Sequence, residues 1–425
     1  MREHAPPVTR AWVLHPDIKS DPERRDAQMA LEEAVSLAHA LPGLEVVGAQ
    51  IVPLPRPHPG ALFGSGKIEE LRAKLEAEEI DLVLVDGPVT PVQQRNLERD
   101  WKVKLLDRTG LILEIFSDRA ATREGVLQVE MAHLSYQRTR LVRAWTHLER
   151  QRGGLGFVGG PGETQIEADR RAIDEQLVRL RRQLDKVVKT RELHRKARAK
   201  VPYPIVALVG YTNAGKSTLF NRLTGADVMA KDMLFATLDP TMRAVRLPTG
   251  ADVILSDTVG FISDLPTELV AAFRATLEEV LAADVVVHVR DISHPETEEQ
   301  AEDVRGILDS LGVGEETAQI ELWNKLDQLG PEELETVRIR AARNPDVFVV
   351  SALTGEGLDG FLEAVTEALG AERVEEDLVL GFSEGKRRAW LFEKGLVEDE
   401  RQEEDGFHLR VLWSARDKAR FQTLD

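Results

Sequence analysis

The stretch GYTNAGKS, residues 210–217, constrains the fold of this 425-residue chain more than any other part of it. Its glycines, lysine and serine have the spacing of a phosphate-binding loop, and it lies between an apolar run, PIVALVG, and a helical pattern, STLFNRL. In such a loop, successive backbone N–H groups surround a phosphate, Lys216 reaches the β- and γ-phosphates, and the Ser217 hydroxyl binds Mg²⁺. The motif therefore predicts a strand, a nucleotide-binding loop and a helix, in that order.

The region around this loop, residues 201–370, has the pattern of a sheet with helices on both faces. Continuous apolar strands that alternate with helices are typical of a mainly parallel α/β sheet. Five apolar runs are predicted to be buried strands: 204–210, 251–258, 283–291, 319–325 and 346–352.

The tetrapeptide NKLD, which begins at Asn324 after the apolar run IELW, predicts which base the site selects. At the carboxyl end of a parallel strand, where open α/β sheets bind ligands, Asp327 would accept hydrogen bonds from guanine N1–H and the exocyclic amine. Adenine lacks this pair of donors, so buried acceptors left unpaired would reject it. Asn324 would contact the base edge, and the Lys325 stem would cover the ring. In the tripeptide SAL, the Ala352 amide would meet guanine O6, with Ser351 shaping the turn.

Two further motifs predict the segments that respond to the γ-phosphate. DTVG ends an apolar run, so we expect Asp257 to hold Mg²⁺ through a water and the Gly260 amide to sense the γ-phosphate. FATLDPT follows the first helix of the domain and supplies Thr237 as a second hydroxyl on Mg²⁺, although Thr241 is also nearby in the sequence. We assign the catalytic role to Lys216, Thr237 and Gly260.

The residues predicted to bind nucleotide belong to these five motifs. They are Gly210, Tyr211, Thr212, Asn213, Ala214, Gly215, Lys216, Ser217 and Thr218; Phe235, Ala236, Thr237, Leu238 and Asp239; Asp257, Thr258, Val259 and Gly260; Asn324, Lys325 and Asp327; and Ser351, Ala352 and Leu353. Ser217, Thr237 and, through a water, Asp257 are the predicted metal ligands.

Residues 1–108 have the pattern of a small α/β domain. Its predicted strands and helices alternate: strands at 11–15, 44–52, 81–86 and 102–107, and helices at about 26–40, 66–79 and 91–99. The segment FGSGK looks like a second phosphate loop, but Ala61 and Ile68 stand where a glycine and a Ser or Thr would be needed. We therefore expect it to start a helix at Lys67 and assign it no phosphate.

Residues 109–200 have the pattern of a basic helical hairpin. Two apolar seams with spacings of three and four residues indicate antiparallel, coiled-coil-like helices, joined by a glycine-rich tip loop at 151–162. Thr164 and Glu167 have the spacing of a capping box at the start of the second helix. Residues 133–200 hold 17 Lys and Arg against 8 Asp and Glu, a net charge of +9, within a chain of formal net charge −18. Charge runs usually mean a solvated helix face, but the size of this contrast argues against that here.

Residues 371–425 are predicted to form a small α+β domain, with strands at DLVLGF and FHLRVLW around a helix at 384–396. The expected fold class is thus α/β. A P-loop domain with a mainly parallel sheet is preceded by a small α/β domain and the helical hairpin, and is followed by this C-terminal domain.

In their order along the chain, the five nucleotide motifs resemble those of translation-factor-class GTPases, and the whole chain resembles the HflX family of ribosome-associated GTPases. The segments that carry the resemblance are GGPGETQIEADRR, VGYTNAGKSTLFNRLTG, LFATLDPT and LSDTVGFISDLP. The resemblance implies a cytoplasmic protein that binds GTP or GDP with Mg²⁺, associates with the large ribosomal subunit, and splits stalled ribosomes under stress. We expect it to be a monomer away from the ribosome. One departure is the glycine loop, which Leu155, Phe157, Val158 and Pro161 interrupt.

The residue after DTVG predicts slow intrinsic hydrolysis. A Ras-like enzyme places its water-orienting Gln there, whereas this chain has Phe261, and a phenyl ring cannot position water. A helper is therefore implied. One candidate is the ribosome, and another is K⁺, because Asn213 fills the loop position that binds K⁺ in the similar Era-type GTPases. The alternative for Asn213 is that it only accommodates a tight turn.

The glycine-rich tip is the candidate RNA contact. Arg150 and Arg152 would pair with backbone phosphates of ribosomal RNA, and Phe157 would stack on an unpaired base. The alternative is a plain connection between helices, but such connections usually have only about 2–8 residues.

Composition excludes several other classes of protein. The chain has no cysteine, which excludes disulfides, thiolate zinc sites and a cysteine nucleophile. It has neither a run of eighteen apolar residues nor a signal-type segment at its N-terminus, so we expect no membrane association and no secretion. A small-molecule kinase or ATPase would share the phosphate loop but not NKLD with SAL. A guanine-nucleotide switch or scaffold with negligible turnover stays open as the alternative.

Overall fold

The architecture is that of a computed structural model. It describes residues 8–22, 24–151, 161–198, 203–226, 234–263, 277, 279–313, 317–369, 374–403, 406–413, 418 and 421. For some residues within these ranges, the structure describes only the backbone. They are residues 141–151, 161–166 and 190–198, Val374 and Glu393.

Four parallel strands form the N-terminal sheet, in the order β2-β1-β3-β4. Along the chain, its elements are β1 (Thr9–Ile18), α1 (Ala27–His39), β2 (Leu44–Leu54), α2 (Ser65–Ala77), β3 (Leu82–Val85), α3 (Pro91–Trp101), β4 (Lys104–Asp107) and α4 (Arg108–Arg119). One face of β1 places Trp12 and Leu14 in a core with Phe63 and Leu71. The decoy segment FGSGK does start a helix, with Gly64 preceding its first residue.

Helix α4 was not predicted as a separate element, and it lies at the junction between domains. The Asp107 carboxylate caps its start by accepting from the Gly110 amide at 2.9 Å. Leu111, Ile115 and Phe116 are buried in a core that also contains residues of α1 and of the nucleotide-binding domain. The predicted boundary at 108/109 therefore falls at the first turn of this helix.

The predicted hairpin is a pair of long helices, α5 (Arg123–Gln151) and α6 (Pro161–Arg198). Gln176 donates to Glu130 at 3.2 Å, and Arg138 pairs with Asp174 at 2.8 Å, so the helices run antiparallel. The capping-box prediction was wrong, because the helix begins at Pro161 and Thr164 lies inside its first turn. Proline suits the first position of a helix, since its φ is already fixed there and the amide it lacks would be unpaired. Most of the predicted tip loop, residues 152–160, lies outside the described residues.

The nucleotide-binding domain is built on a six-stranded sheet in the order β10-β9-β8-β5-β7-β6. Its elements are β5 (Ile205–Val209), α7 (Lys216–Thr224), β6 (Thr241–Arg246), β7 (Asp252–Asp257), β8 (Val285–Asp291), α8 (Thr297–Leu311), β9 (Ala318–Asn324), α9 (Pro331–Ala341), β10 (Val347–Val349) and α10 (Leu358–Leu369). All pairs are parallel except β6 with β7. The predicted mainly parallel sheet is confirmed, and the unpredicted strand is β6, an edge strand of the sheet.

The C-terminal domain has three antiparallel strands in the order β11-β13-β12. Its elements are β11 (Val374–Leu380), α11 (Gly385–Glu393), β12 (Val397–Glu403) and β13 (Gly406–Trp413). Two of these strands and the helix were predicted. The third, β12, has the sequence VEDERQE, which has too little apolar character to predict a strand.

A buried guanidinium joins the N-terminal domain to the nucleotide-binding domain. Arg108 is 6 % exposed and donates to Glu33 at 2.5 Å, to Asp86 at 2.7 Å and to the Ser263 carbonyl at 3.0 Å. Tyr211, in the phosphate loop, donates to the same Glu33 at 2.5 Å. Burial would raise the pKa values of Glu33 and Asp86, but the Arg108 charge and the hydrogen bonds outweigh it, and both pKa values lie below their ordinary range.

Arg108→Met should destabilise the protein by about 3–5 kcal/mol, because it removes the cation shared by two buried carboxylates and leaves Glu33 only the partly exposed Arg25 and Asp86 only His15. This loss of stability is measured at pH 7 from the shift of the midpoint of the first urea-induced unfolding transition between the variant and wild type. Arg338→Ala, which removes an exposed pair with Glu356, is the matched control and should cost less than about 1 kcal/mol.

The gap between wild type and Arg108→Met should narrow as the pH falls from 7 to 5. In wild type both carboxyl pKa values are depressed, so their contribution is lost only in stronger acid. Without the Arg108 charge the two pKa values are higher than in wild type, so the folded variant takes up protons at a pH where folded wild type does not, and this narrows the gap. A gap that is constant over this range would contradict the ionic account of the interface.

Candidate nucleotide-binding site

The phosphate loop turns between β5 and α7 at two glycines that no other residue could replace. Gly210 has φ +149°, and a Cβ there would lie 2.1 Å from the Val289 carbonyl oxygen. Gly215 has φ +98°, and a Cβ there would lie 2.2 Å from Nδ2 of Asn324. The loop is thus pressed against β8 on one side and against the predicted base-binding segment on the other.

Lys216 is the first residue of α7, and its ammonium is buried beneath the loop. Nζ donates to the carbonyls of Gly210 at 3.0 Å and Tyr211 at 2.8 Å. Burial lowers the pKa of Lys216 to about 8, although the nearby Asp257 carboxylate acts in the opposite direction. An anionic phosphate oxygen beside Nζ would favour its charged form, as expected for a phosphate-binding lysine.

The three predicted metal ligands meet at one point, although they come from three separate segments. The Ser217 and Thr237 hydroxyls each donate to Oδ2 of Asp257 at 2.7 Å, and they lie 2.9 Å from each other. Oδ1 of Asp257 is buried without a hydrogen-bond partner. Burial raises the pKa of Asp257 against the effect of these hydrogen bonds. Thr237 lies in this cluster, whereas Thr241 begins β6.

The backbone after DTVG is tied directly to the phosphate loop. The Thr212 amide donates to the Phe261 carbonyl at 2.7 Å, and the Phe261 amide donates to the Gly210 carbonyl at 3.1 Å. A Cβ on Gly260 would lie 3.0 Å from Nζ of Lys216, so its amide is next to the phosphate cradle. The Phe261 ring is 1 % exposed and packs in the core beside Val259.

The base-binding motifs are present at the carboxyl ends of β9 and β10, and Asn324 also links two loops of the site. Its Nδ2 donates to the Ala214 carbonyl at 2.8 Å, and its Oδ1 accepts from the Ala352 amide at 2.8 Å. Asn324 therefore joins the phosphate loop to the SAL segment with one hydrogen bond from each end of its side chain, and its second N–H and second acceptor position stay available to a base. A side chain of this length reaches both loops because the sheet places them side by side.

The remaining groups of the base site are held in place by their neighbours. Asp327 accepts from the Ser351 hydroxyl at 2.5 Å, and Lys325 is paired with Asp291 at 2.7 Å. Leu353 is 68 % exposed at the rim. Its carbonyl accepts from Arg222 of α7 at 2.8 Å, a support that sequence reasoning missed because no motif relates residues 131 positions apart.

Some of the residues predicted to bind nucleotide line the cleft between these segments, and others have side chains that face elsewhere. Its lining residues are Thr212, Asn213, Gly215, Lys216, Ser217, Thr218, Phe235, Ala236, Thr237, Thr258 and Gly260. Leu238 and Val259 have their side chains in the core. The carboxylate of Asp239, also predicted to face the nucleotide, is bound instead to the start of α5.

The predicted RNA-contact residues are not tested by this geometry. Arg150 is on α5 with its side chain outside the description, and Arg152 and Phe157 lie outside the described residues. Over the part of the chain that is described, no helix has the length and apolar character needed to cross a membrane.

Phe261→Gln should not create a Ras-like water-orienting group, because the side chain at this position points into the core. We expect no increase in the rate of GTP turnover. We also expect the free energy of unfolding to fall by about 1–3 kcal/mol, because the Gln amide would be buried without a hydrogen-bond partner. Phe261→Leu is the control that keeps an apolar side chain and should retain more stability. A rise in turnover for the Gln variant alone would show that this side chain reaches the γ-phosphate.

Four family models match successive parts of the chain. Residues 28–117 match the GTP-binding GTPase N-terminal model and 119–198 the GTP-binding GTPase middle region. Residues 205–325 match the 50S ribosome-binding GTPase model and 336–421 the HflX C-terminal domain.

Full-length relatives agree with these models. The chain is 51 % identical over 382 residues to the GTPase HflX of Magnetococcus marinus, covering 90 % of this chain and 87 % of that protein. It is 43 % identical over 398 residues to the GTPase HflX of Escherichia coli, covering 93 % and 91 %. It is 34 % identical over 400 residues to the putative GTP-binding protein 6 of Xenopus laevis, covering 92 % and 74 %.

Proposed function

The chain belongs to the HflX family of GTPases and is a GTP-hydrolysing enzyme, and we propose that it acts on the large (50S) ribosomal subunit, where it splits or rescues stalled ribosomes under stress. The observation that carries the proposal is the match of residues 205–325 to the 50S ribosome-binding GTPase model. We further propose that the protein works in the cytoplasm and is a monomer away from the ribosome.

Mg²⁺ is the proposed metal, with the Ser217 and Thr237 hydroxyls as direct ligands and Asp257 acting through a water. Support comes from the convergence of these three oxygen groups and from the orphaned Oδ1 of Asp257, since hard oxygen donors are what Mg²⁺ prefers. When bound, the ion would neutralise charge on the β- and γ-phosphates.

The residues of the chain act on GTP mainly by position and charge. Lys216 and the loop amides would stabilise the charge that develops on the phosphates, and the Gly260 amide would contact the γ-phosphate. Asp327 would accept from guanine N1–H and the exocyclic amine, which selects guanine over adenine. Because the Phe261 ring lies in the core, the residue after DTVG has no side chain available to orient the attacking water, and intrinsic hydrolysis should be slow.

The basic arm formed by α5 and α6 is the proposed contact with ribosomal RNA. Arg170, Arg171, Arg179, Arg181 and Arg182 are exposed along α6. Guanidinium groups on an exposed helix are suited to phosphate backbones. We propose that Arg150, Arg152 and Phe157 at the tip complete this contact.

GTP turnover should rise about tenfold or more when purified large ribosomal subunits are added, because docking would order the catalytic segments. A deletion variant in which four glycines replace residues 153–160 should lose this stimulation. The change lies between Gln151 and Pro161, the ends of the two helices, and leaves five residues to connect them. Its turnover without subunits should equal that of wild type, which serves as the control.

Two outcomes of this experiment would contradict the proposal. If subunits leave the turnover of the intact protein unchanged, the chain is better described as a guanine-nucleotide switch for another partner. If the deletion variant is stimulated as strongly as wild type, the tip is not the RNA contact.

K⁺ is the proposed monovalent helper, and Asn213 is its proposed ligand. Asn213 has φ +58° and lines the cleft, so its role could also be confined to the left-handed turn. Asn213→Gly separates the two roles, because glycine keeps the turn and removes the amide oxygen. GTP turnover of wild type should be higher in K⁺ than in Na⁺, and the variant should bind GDP normally but lose the difference. Equal wild-type rates in the two salts would contradict the proposal.

A further inference from the structure

The segment that carries Thr237 is hydrogen-bonded to the two residues that immediately precede α5. The carboxylate of Asp239 accepts from the amides of Ala121 at 2.9 Å and Thr122 at 2.8 Å, and from the Thr122 hydroxyl at 2.6 Å. The Thr122 hydroxyl in turn accepts from the Gly125 amide at 3.0 Å. Asp239 and Thr122 together satisfy amides at the start of α5 that the helix itself cannot pair.

Gly125 leaves room for this contact. A Cβ at position 125 would lie 2.4 Å from Oδ1 of Asp239 and 3.2 Å from Oγ1 of Thr122. Glycine is otherwise unfavourable inside a helix. Its presence in the first turn of α5 is therefore explained by the carboxylate that occupies the space beside it.

The rest of the same segment also packs on the N-terminal half of the chain. The Phe235 ring lies edge-on to the Phe116 ring of α4, with centroids 4.6 Å apart. Leu238 is buried in the core that contains Val129 of α5. Aromatic pairing and apolar burial fix the position of the segment, while Asp239 fixes its register on the helix terminus.

Only Leu238 separates Asp239 from Thr237, whose hydroxyl lies in the Ser217–Asp257 cluster. The same structure therefore combines a capped α5 with an inward-facing Thr237. A carboxylate at a helix N-terminus is stabilised both by charge-assisted hydrogen bonds and by the helix dipole.

We propose that Asp239 is a positioning residue for GTP hydrolysis, which holds Thr237 inward by capping the helical arm, so that the first turn of α5 is part of the nucleotide switch. The proposal rests on the proposed role of Thr237 at Mg²⁺. The Asp239 carboxylate faces Ala121 and Thr122, and Asp239 is not among the residues that line the cleft. An inward-facing Thr237 raises the affinity for GTP. GDP lacks the γ-phosphate, so its affinity rises little, and the contact therefore favours the binding of GTP over that of GDP. Linkage then requires that GTP binding strengthens the cap in return.

Gly125→Ala tests this without altering the nucleotide site. The added methyl displaces the Asp239 carboxylate, while alanine favours the helix and keeps the protein folded. We expect the affinity for a non-hydrolysable GTP analogue in Mg²⁺ to fall about tenfold and the affinity for GDP to change less than about twofold. Gly306→Ala is the matched control, because Gly306 lies in helix α8 with open space around its Cα.

Asp239→Ala removes the same contact from the other side and should reproduce the loss. A merely structural role would lower the two affinities together or lower thermal stability, and it would not change their ratio. The proposal is overturned if the ratio of GTP-analogue to GDP affinity stays at the wild-type value in both variants, or if both affinities fall equally.

Thr237→Ala distinguishes failure of this inference from failure of the proposed site. If Thr237→Ala lowers the affinity ratio while the Gly125 and Asp239 variants do not, Thr237 acts as proposed but without help from the arm. If Thr237→Ala leaves the ratio unchanged, the assignment of Thr237 is wrong, and the inference falls with it.

Discussion

A single buried cation, Arg108, joins the N-terminal domain to the nucleotide-binding domain. It is almost entirely removed from water, so its charge must be balanced by acceptors within the protein. Glu33 and Asp86 supply charge from one side, and the carbonyl of Ser263 supplies a hydrogen bond from the other. Pairing this group therefore restricts the relative position of the two domains, together with the apolar core that they share.

Segments that form the nucleotide site also contact the N-terminal half of the chain. Tyr211, within the phosphate loop, donates to Glu33 of α1. Phe235 packs on α4, and Asp239 caps α5, so the segment that carries Thr237 is anchored outside its own domain. The segment is thus held by contacts with the N-terminal half, and under the proposal made above for Asp239 it would pass a change at the γ-phosphate to that half. This arrangement gives a physical basis for coupling between GTP and a partner bound to the arm.

Most of the fold was predictable because its strands are continuous apolar runs and its phosphate loop has a fixed spacing. The elements that were missed have weaker local signals. Strand β6 lies at the edge of its sheet with only one fully buried residue, and β12 is almost entirely charged. The capping box at Thr164 failed because Pro161 starts the helix one turn earlier. In each case, packing or backbone geometry outweighed the pattern of side chains.

The sequence by itself determined the chemistry of the ligand, because Gly215, Lys216 and Ser217 are adjacent and their spacing alone builds a phosphate cradle. Only the tertiary structure decided what Asn324 and Asp239 do. Asn324 joins loops 110 and 28 residues away, and Asp239 binds Thr122, which is 117 residues away. A local pattern carries no information about such partners. They become neighbours only when the sheets close and the two domains dock, and the hydrogen bonds then go to whichever polar groups burial has brought within reach.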